Sequence, residues 1–275
     1  MKILAIFLLC TSLAAQQASA PAPASSNDAQ TNHPSNDAQT NQKKARVFLD
    51  QMLQALGGQN YLTLQDSQLE GRTGRFYHGT SEGGSQYWRY WQWPDKERLE
   101  FTKKRDVVQL TVGDNLYELT YRGTRMIDPQ KEQDARLYLE RRHYSLEVVL
   151  REWLNDPGTA LFDEGQALTE NHSTEQLSII NSKNDSVTIF IDTDTHLPVK
   201  KTFILRDPTT RDRDEVAEVY DNYKMVQGIN TPYNTMVTKN GELFRQYFVT
   251  TISYNNHLRP SLFDPGLVKF DVKKK

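Results

Sequence analysis

Tyr87-Trp88-Arg89-Tyr90-Trp91-Gln92-Trp93-Pro94 holds three of the four tryptophans in the chain. Aromatic residues favour strands, and a proline cannot continue a hydrogen-bonded ladder, so the stretch reads as one strand ending at Pro94. Side chains alternate along a strand. Tyr87, Arg89, Trp91 and Trp93 therefore share one face, and Trp88, Tyr90 and Gln92 share the other. A sheet with one wet face does not normally place Trp there. Either something covers both faces, or one face lines an apolar groove.

Strand and turn signals extend outward in both directions. Thr63 to Tyr77 reads as a long extended segment with Gly71 and Gly74 as expected bulges. Arg98 to Lys104 follows the aromatic strand. Val107–Val112 and Leu116–Tyr121 flank Gly113-Asp114-Asn115, a hairpin signal. Beyond Pro157-Gly158, strands are expected at Leu177–Ile180, Val187–Ile191, Val199–Leu205, Glu215–Tyr223 and Tyr233–Thr238. Asn240-Gly241 then turns the chain into Leu243–Tyr254, where Phe244, Gln246, Phe248, Thr250, Ile252 and Tyr254 are expected on one face.

Two segments have helical spacing. Lys43 to Leu56 carries a stripe of Val47, Leu49, Met52, Leu53 and Leu56 and stops at Gly57-Gly58. Gln130 to Leu154 repeats Ala135, Tyr138, Leu139, Arg142, Leu146, Val149, Leu150 and Trp153 at steps of three and four. That pattern describes a helix of roughly six to seven turns, with a potential break at Tyr144-Ser145. Glu132, Glu140 and Glu147 fall on its polar side, where solvent is the plain explanation. Arg142 interrupts the apolar stripe. Its stem can pack while its head reaches water, or its guanidinium can gate a cavity by bonding to strand backbone or carboxylates. Arg89 raises the same pair of readings. Hairpin runs with helices kept apart from them give an α+β architecture.

The N-terminal run Met1-Lys2 followed by Ile3–Leu9 has the form of a secretory signal. Ala18-Ser19-Ala20 fits the cleavage rule, and Ser12-Leu13-Ala14 is an alternative site. Cys10 is the only cysteine; Leu9 stands before it where a lipid-acceptor motif needs a small residue, which argues against anchoring there. The expected mature chain has no thiol, no disulfide and no transmembrane segment. Residues 21–42 are polar and contain a repeat, Ser26–Asn32 recurring as Ser35–Asn41, so a disordered linker is expected before a single domain over 43–275. With 33 basic and 35 acidic residues, a nucleic-acid footprint is not expected. The six histidines show no metal-ligand spacing. Asp192-Thr193-Asp194-Thr195 lacks the glycine and distal glutamate of a calcium loop. No nucleophile elbow or phosphate-binding glycine loop is present. The residues therefore give no reason to expect a metal, a cofactor or an enzyme.

The run Ile191-Asp192-Thr193-Asp194-Thr195-His196-Leu197-Pro198-Val199-Lys200-Lys201 resembles a strand–turn–strand signature of the LolA/LolB-like outer-membrane lipoprotein carrier superfamily. So do Tyr220-Asp221-Asn222-Tyr223 with Gln227–Pro232, Ala55-Leu56-Gly57-Gly58, and the ending Asn255-Asn256 with Ser261-Leu262-Phe263. Together they span most of Ala45 to Phe263, and they sit at turns and strand ends. The resemblance implies a strongly curved antiparallel sheet, an incomplete barrel, with helices covering its concave face. It also implies a periplasmic carrier of acyl chains of lipids or lipoproteins, with envelope transport proteins as partners.

On that reading Tyr87, Trp91, Trp93, Phe244, Phe248 and Ile252 are the expected groove residues. Leu139, Arg142, Leu146, Leu150 and Trp153 are the expected lid. The alternative is an envelope interaction scaffold whose concave face is filled by its own helices. The two differ in whether the space between helices and sheet is hollow.

Overall fold

The computed structural model describes residues 34–207 and 210–267. The expected signal and residues 21–33 of the expected linker lie outside that range, as does the Lys273–Lys275 tail. Thirteen strands among the described residues form one antiparallel sheet. The first six are β1 (Asp66–Tyr77), β2 (Thr80–Gln92), β3 (Lys96–Phe101), β4 (Val107–Val112), β5 (Asn115–Thr120) and β6 (Gly123–Ile127). The remaining seven are β7 (Ala160–Thr169), β8 (His172–Ile180), β9 (Ser186–Asp192), β10 (Pro198–Arg206), β11 (Arg213–Val226), β12 (Ile229–Lys239) and β13 (Glu242–Tyr254). Their spatial order is β6-β5-β4-β3-β2-β1-β13-β12-β11-β10-β9-β8-β7. The sheet is open, with β6 and β7 at its edges, and it is strongly curved.

That order explains where the helices must be. Every strand neighbours its successor except at β6/β7, and β1 and β13 close the middle. The segment from β6 to β7 thus joins the two outer edges and has to cross a face of the sheet. It carries α3 (Gln133–His143), α4 (Leu146–Arg151) and a 3₁₀ turn at Trp153–Asn155. The break falls at Tyr144-Ser145, where the Ser145 hydroxyl accepts the Val148 N–H and starts α4. One continuous helix over 130–154 is thereby replaced by two short ones.

The first helix, α1, runs Pro34–Leu56, starting earlier than Lys43 and taking in residues 34–42 of the expected linker. Ala45, Leu49, Met52, Leu53 and Leu56 are buried, whereas Val47, expected in the stripe, is exposed. The Asn41 amide brackets the edge strand β7, donating to the Asp163 carbonyl at 2.7 Å and accepting its N–H at 2.9 Å. At the other end Gly57 has φ +135°, and a Cβ there would stand 2.5 Å from the Gly228 carbonyl. This explains the glycine stop. A short α2 (Gln59–Leu62) leads into β1.

The main core lies on the concave side, between α1, α4 and strands β8–β11. Leu49, Met52, Val149, Leu150 and Trp153 pack there against Leu177, Ile179, Ile189 and Phe203. The convex side of β2–β4 is covered too. Trp88 and Tyr90 pack with Val108, Leu110, Leu258, Leu262 and Phe263, so the C-terminal segment straps the back of the sheet. Arg98 donates to the Leu262 carbonyl at 3.1 Å, and the Arg105 guanidinium lies 4.2 Å from the Trp88 ring. Both faces of the aromatic strand are covered, by different parts of the chain.

The strap is fastened by Asp66, which is buried. Its carboxylate accepts the N–H groups of Asn256 at 2.6 Å and Leu258 at 3.2 Å. Asp66→Ala leaves both donors without that acceptor, and a loss of about 2 kcal/mol in urea unfolding is expected. An unchanged midpoint would show that the strap is not held there. No helix among the described residues is long and apolar enough to cross a membrane.

Candidate functional site

The concave face is filled at the β8–β11 end and hollow in the middle of the sheet. A cavity of about 330 Å³ lies between α2, α3, α4 and strands β1, β2, β3, β11, β12 and β13. β2 contributes Tyr87, Arg89 and Trp91, and Trp93 follows at its end. The alternation read from the sequence holds, since Trp88 and Tyr90 are on the opposite face. Trp91 and Trp93 meet edge to face at 6.1 Å, and the Arg151 guanidinium lies 3.6 Å from the Trp93 ring.

β13 presents Tyr247, Val249, Ile252 and Tyr254 to the cavity. Ile252 is an expected groove residue; Phe244 and Phe248 are not in the lining, and Phe248 is exposed. The reason is bulging. Glu70 pairs with Thr251 but Gly71 pairs with Val249, so Thr250 is an extra residue in β13. Each inserted residue reverses the facing of everything beyond it. A second shift, where Val237 pairs with Arg245 and Thr238 with Leu243, leaves Phe244 out of the ladder. The period-two count from Tyr254 backwards therefore fails after Ile252.

Gly71 sits at the first of these bulges, between Tyr87 and Val249. A Cβ there would stand 2.4 Å from the Phe248 carbonyl oxygen and 2.9 Å from Tyr87 Cε1. The missing side chain lets the Tyr87 ring lie over the strand. Tyr87 then meets Tyr247 edge to face at 5.8 Å.

Among the expected lid residues, Arg142 and Leu146 line the cavity. Leu150 and Trp153 are buried in the main core beside it, and Leu139 is in neither group. Arg142 donates to the carbonyls of Gly113 at 3.1 Å and Pro94 at 3.3 Å, bridging α3 to the β4–β5 turn and the end of the aromatic strand. Two further arginines tie α3 down. Arg136 pairs with Asp207, and Arg141 pairs with Glu218 on β11 at 2.8 Å.

Glu218 is the centre of a polar cluster that sequence reasoning did not find. Lys201 is fully buried; its Nζ donates to the Tyr144 carbonyl at 2.5 Å and lies 3.1 Å from Glu218. The Tyr220 hydroxyl donates to the same carboxylate at 2.8 Å. Burial pushes the Glu218 pKa up, but Lys201 and Arg141 more than reverse this and hold it down at about 2. The cluster joins the α3–α4 break to β10 and β11. A second pair, Arg89 with Glu97, stands on the β2–β3 wall. Glu147, read from the sequence as solvent-facing, lines the cavity because the helix break resets the rotation of α4 relative to α3.

The carboxylates of the turns are occupied structurally. Asp192 accepts the Asp194 and Thr195 N–H groups and contacts His172 at 2.7 Å. His143 contacts Asp185 at 3.0 Å, and His78 contacts Glu242 at 3.1 Å. Among the described residues no group of three or more His, Cys, Asp or Glu side chains is placed to hold a metal ion.

No family profile and no curated protein matches the sequence. Solved structures do match the fold. A DUF1329 family protein from Desulfovibrio piger superposes with a TM-score of 0.56 at 12% identity, covering 82% of this chain and 99% of that one. An outer-membrane lipoprotein-sorting protein domain from Vibrio parahaemolyticus superposes at 0.56 with 11% identity, covering 84% and 98%. A LolA superfamily protein from Nitrosomonas europaea gives 0.52 and 10%, covering 80% and 97%. The chain has the LolA/LolB-like fold. In that LolA/LolB-like frame, the open sheet is the shell and the β6–β7 crossover is the cover of the cavity.

Proposed function

We propose that this protein is a non-enzymatic periplasmic carrier or binder of lipids or lipidated proteins. The single observation that supports this best is the hollow between the helical cover and the sheet, walled by Trp91, Trp93, Tyr87, Leu69 and Ile252. Moving an acyl chain from water into apolar surroundings is favourable by about 0.8 kcal/mol per CH₂. A sixteen-carbon chain thus needs on the order of 12 kcal/mol of shelter to cross an aqueous compartment. A concave sheet under a cover that opens can supply it. The scaffold reading requires that space to be filled by the protein's own helices, and about 330 Å³ of it is not. The lipoprotein-sorting domain of the same fold agrees with the carrier reading at the level of architecture.

Native mass spectrometry and lipid extraction of protein purified from the cell envelope test this directly. Co-purifying lipid, or uptake of a fluorescent fatty acid, is the expected result. Repeated absence of both would sink the proposal. Arg142 acts as the latch of the cover in this reading. Arg142→Ala removes two charge-assisted hydrogen bonds to backbone carbonyls, and both uptake and release of the fluorescent fatty acid are expected to speed up about tenfold. Stopped-flow rates equal to those of the wild type would show that the latch lies elsewhere.

A further inference from the structure

Most charged side chains that line the cavity have a partner within the protein, although the Arg141 Nε has none. Arg89 is held by Glu97, Arg141 by Glu218, and Arg142 by two backbone carbonyls. Lys201, behind Glu218, is fully buried and bonded to the Tyr144 carbonyl. Glu147 is the exception. It lines the cavity from the first turn of α4, and among the described residues it makes no hydrogen bond and no ion pair.

Tyr61 on α2, Tyr220 on β11 and Tyr254 on β13 line the same cavity as Glu147. Arg89 and Arg151 feel the Glu147 charge, but their guanidiniums are engaged elsewhere, Arg89 with Glu97 and Arg151 with the Leu64 carbonyl and the Trp93 ring. The Tyr61 and Tyr87 hydroxyls, in the same lining, likewise make no hydrogen bond within the protein.

Glu147 is half-buried, and a carboxylate that faces a partly apolar cavity with no hydrogen bond of its own is open to a charged donor from a ligand. Aromatic walls add no counter-charge, but their faces attract cations. Arg89 and Arg142 already have acceptors, and Arg141 keeps only its Nε unpaired, so an anionic head group finds less vacancy than an ammonium does. We infer that the cavity selects amphiphiles whose head group carries a cationic amine. The ammonium would sit against Glu147 and the tyrosine oxygens, with the chain along the Trp91 and Ile252 walls. This inference rests on the carrier reading above and specifies its cargo.

Three probes of equal chain length separate the possibilities: dodecylammonium, dodecanol and dodecanoate, each titrated at pH 7 below its solubility or micelle limit. Binding is followed by tryptophan fluorescence, which Trp91 and Trp93 report. Wild-type protein is expected to bind dodecylammonium at least tenfold more tightly than dodecanol, and dodecanoate more weakly than either. Glu147→Gln is expected to bring the ammonium-to-alcohol ratio close to one, while Glu152→Gln, an exposed carboxylate on the same segment, keeps the wild-type ratio. Equal binding of ammonium and alcohol by the wild-type protein, preference for dodecanoate, or a ratio that survives Glu147→Gln overturns this inference and leaves the carrier reading standing. Failure of all three probes to bind removes the carrier reading itself.

Discussion

Glu218→Gln is expected to destabilise the protein by roughly 3–5 kcal/mol, the largest loss of any single substitution considered. The change preserves shape but leaves Lys201, fully buried, and Arg141 facing a neutral amide. Breaking a buried ionic cluster from one side costs more than the cluster contributes, because the remaining charges stay desolvated. Urea unfolding of the variant measures this, and a midpoint within error of the wild type would show that the cations are solvated and the cluster is unimportant.

The pH dependence has a definite sign. The folded carboxylate titrates at about 2, below its ordinary value of 4.5. Its contribution is therefore complete above pH 4.5 and is lost as the pH falls from there toward 2. The shift corresponds to about 3 kcal/mol. Wild-type protein is expected to lose that much stability across this window. Glu218→Gln should show a flatter profile there, and parallel profiles would assign the acid sensitivity to other groups. Because the cluster also anchors the α3–α4 break through the Tyr144 carbonyl, the loss is expected to loosen the cover before the rest of the sheet.

Gly71→Ala is expected to cost about 3 kcal/mol and to deform the cavity wall. The added carbon meets two different obstacles. One is the Phe248 carbonyl at 2.4 Å, which belongs to the backbone of the paired strand and cannot rotate away. The other is the Tyr87 ring at 2.9 Å. Relief requires β1 and β13 to separate at the bulge or Tyr87 to leave its place, and either change disturbs the pairing of Tyr87 with Tyr247. Thermal unfolding together with the near-ultraviolet dichroism of the aromatic wall reads both effects. Gly74→Ala, where a Cβ would meet only the edge of the Phe76 ring at 3.2 Å, is expected to be much milder. Equal effects at the two glycines would show that the bulge is not the cause.

The aromatic strand was readable because its own alternation is unbroken. Tyr87, Arg89, Trp91 and Trp93 reach the cavity as a set, and Trp88 and Tyr90 reach the back as a set. β13 has the same alternating sequence pattern and misleads, because the Thr250 bulge depends on how the strand is paired and leaves no mark on its composition. Arg142 was readable as a charge inside an apolar stripe. Glu147 was not, since one helical phase was carried across a break that resets it. β6 and β7 lie at the edges of the sheet and carry weaker alternation, which is why neither was expected as a strand.

By itself the sequence determined the local pieces: the hairpins marked by Gly113-Asp114 and Asn240-Gly241, the apolar stripe from Leu49 to Leu56, and the α+β class they add up to. These follow from periodicity and turn chemistry, which act between residues close along the chain. Only the tertiary structure decided that β1 pairs with β13, that the β6–β7 crossover spans the sheet, and that Lys201, Glu218 and Arg141 converge beneath it. Those contacts join residues far apart in sequence, and their free energy comes from burial and charge pairing that exist only once the sheet has curved around them.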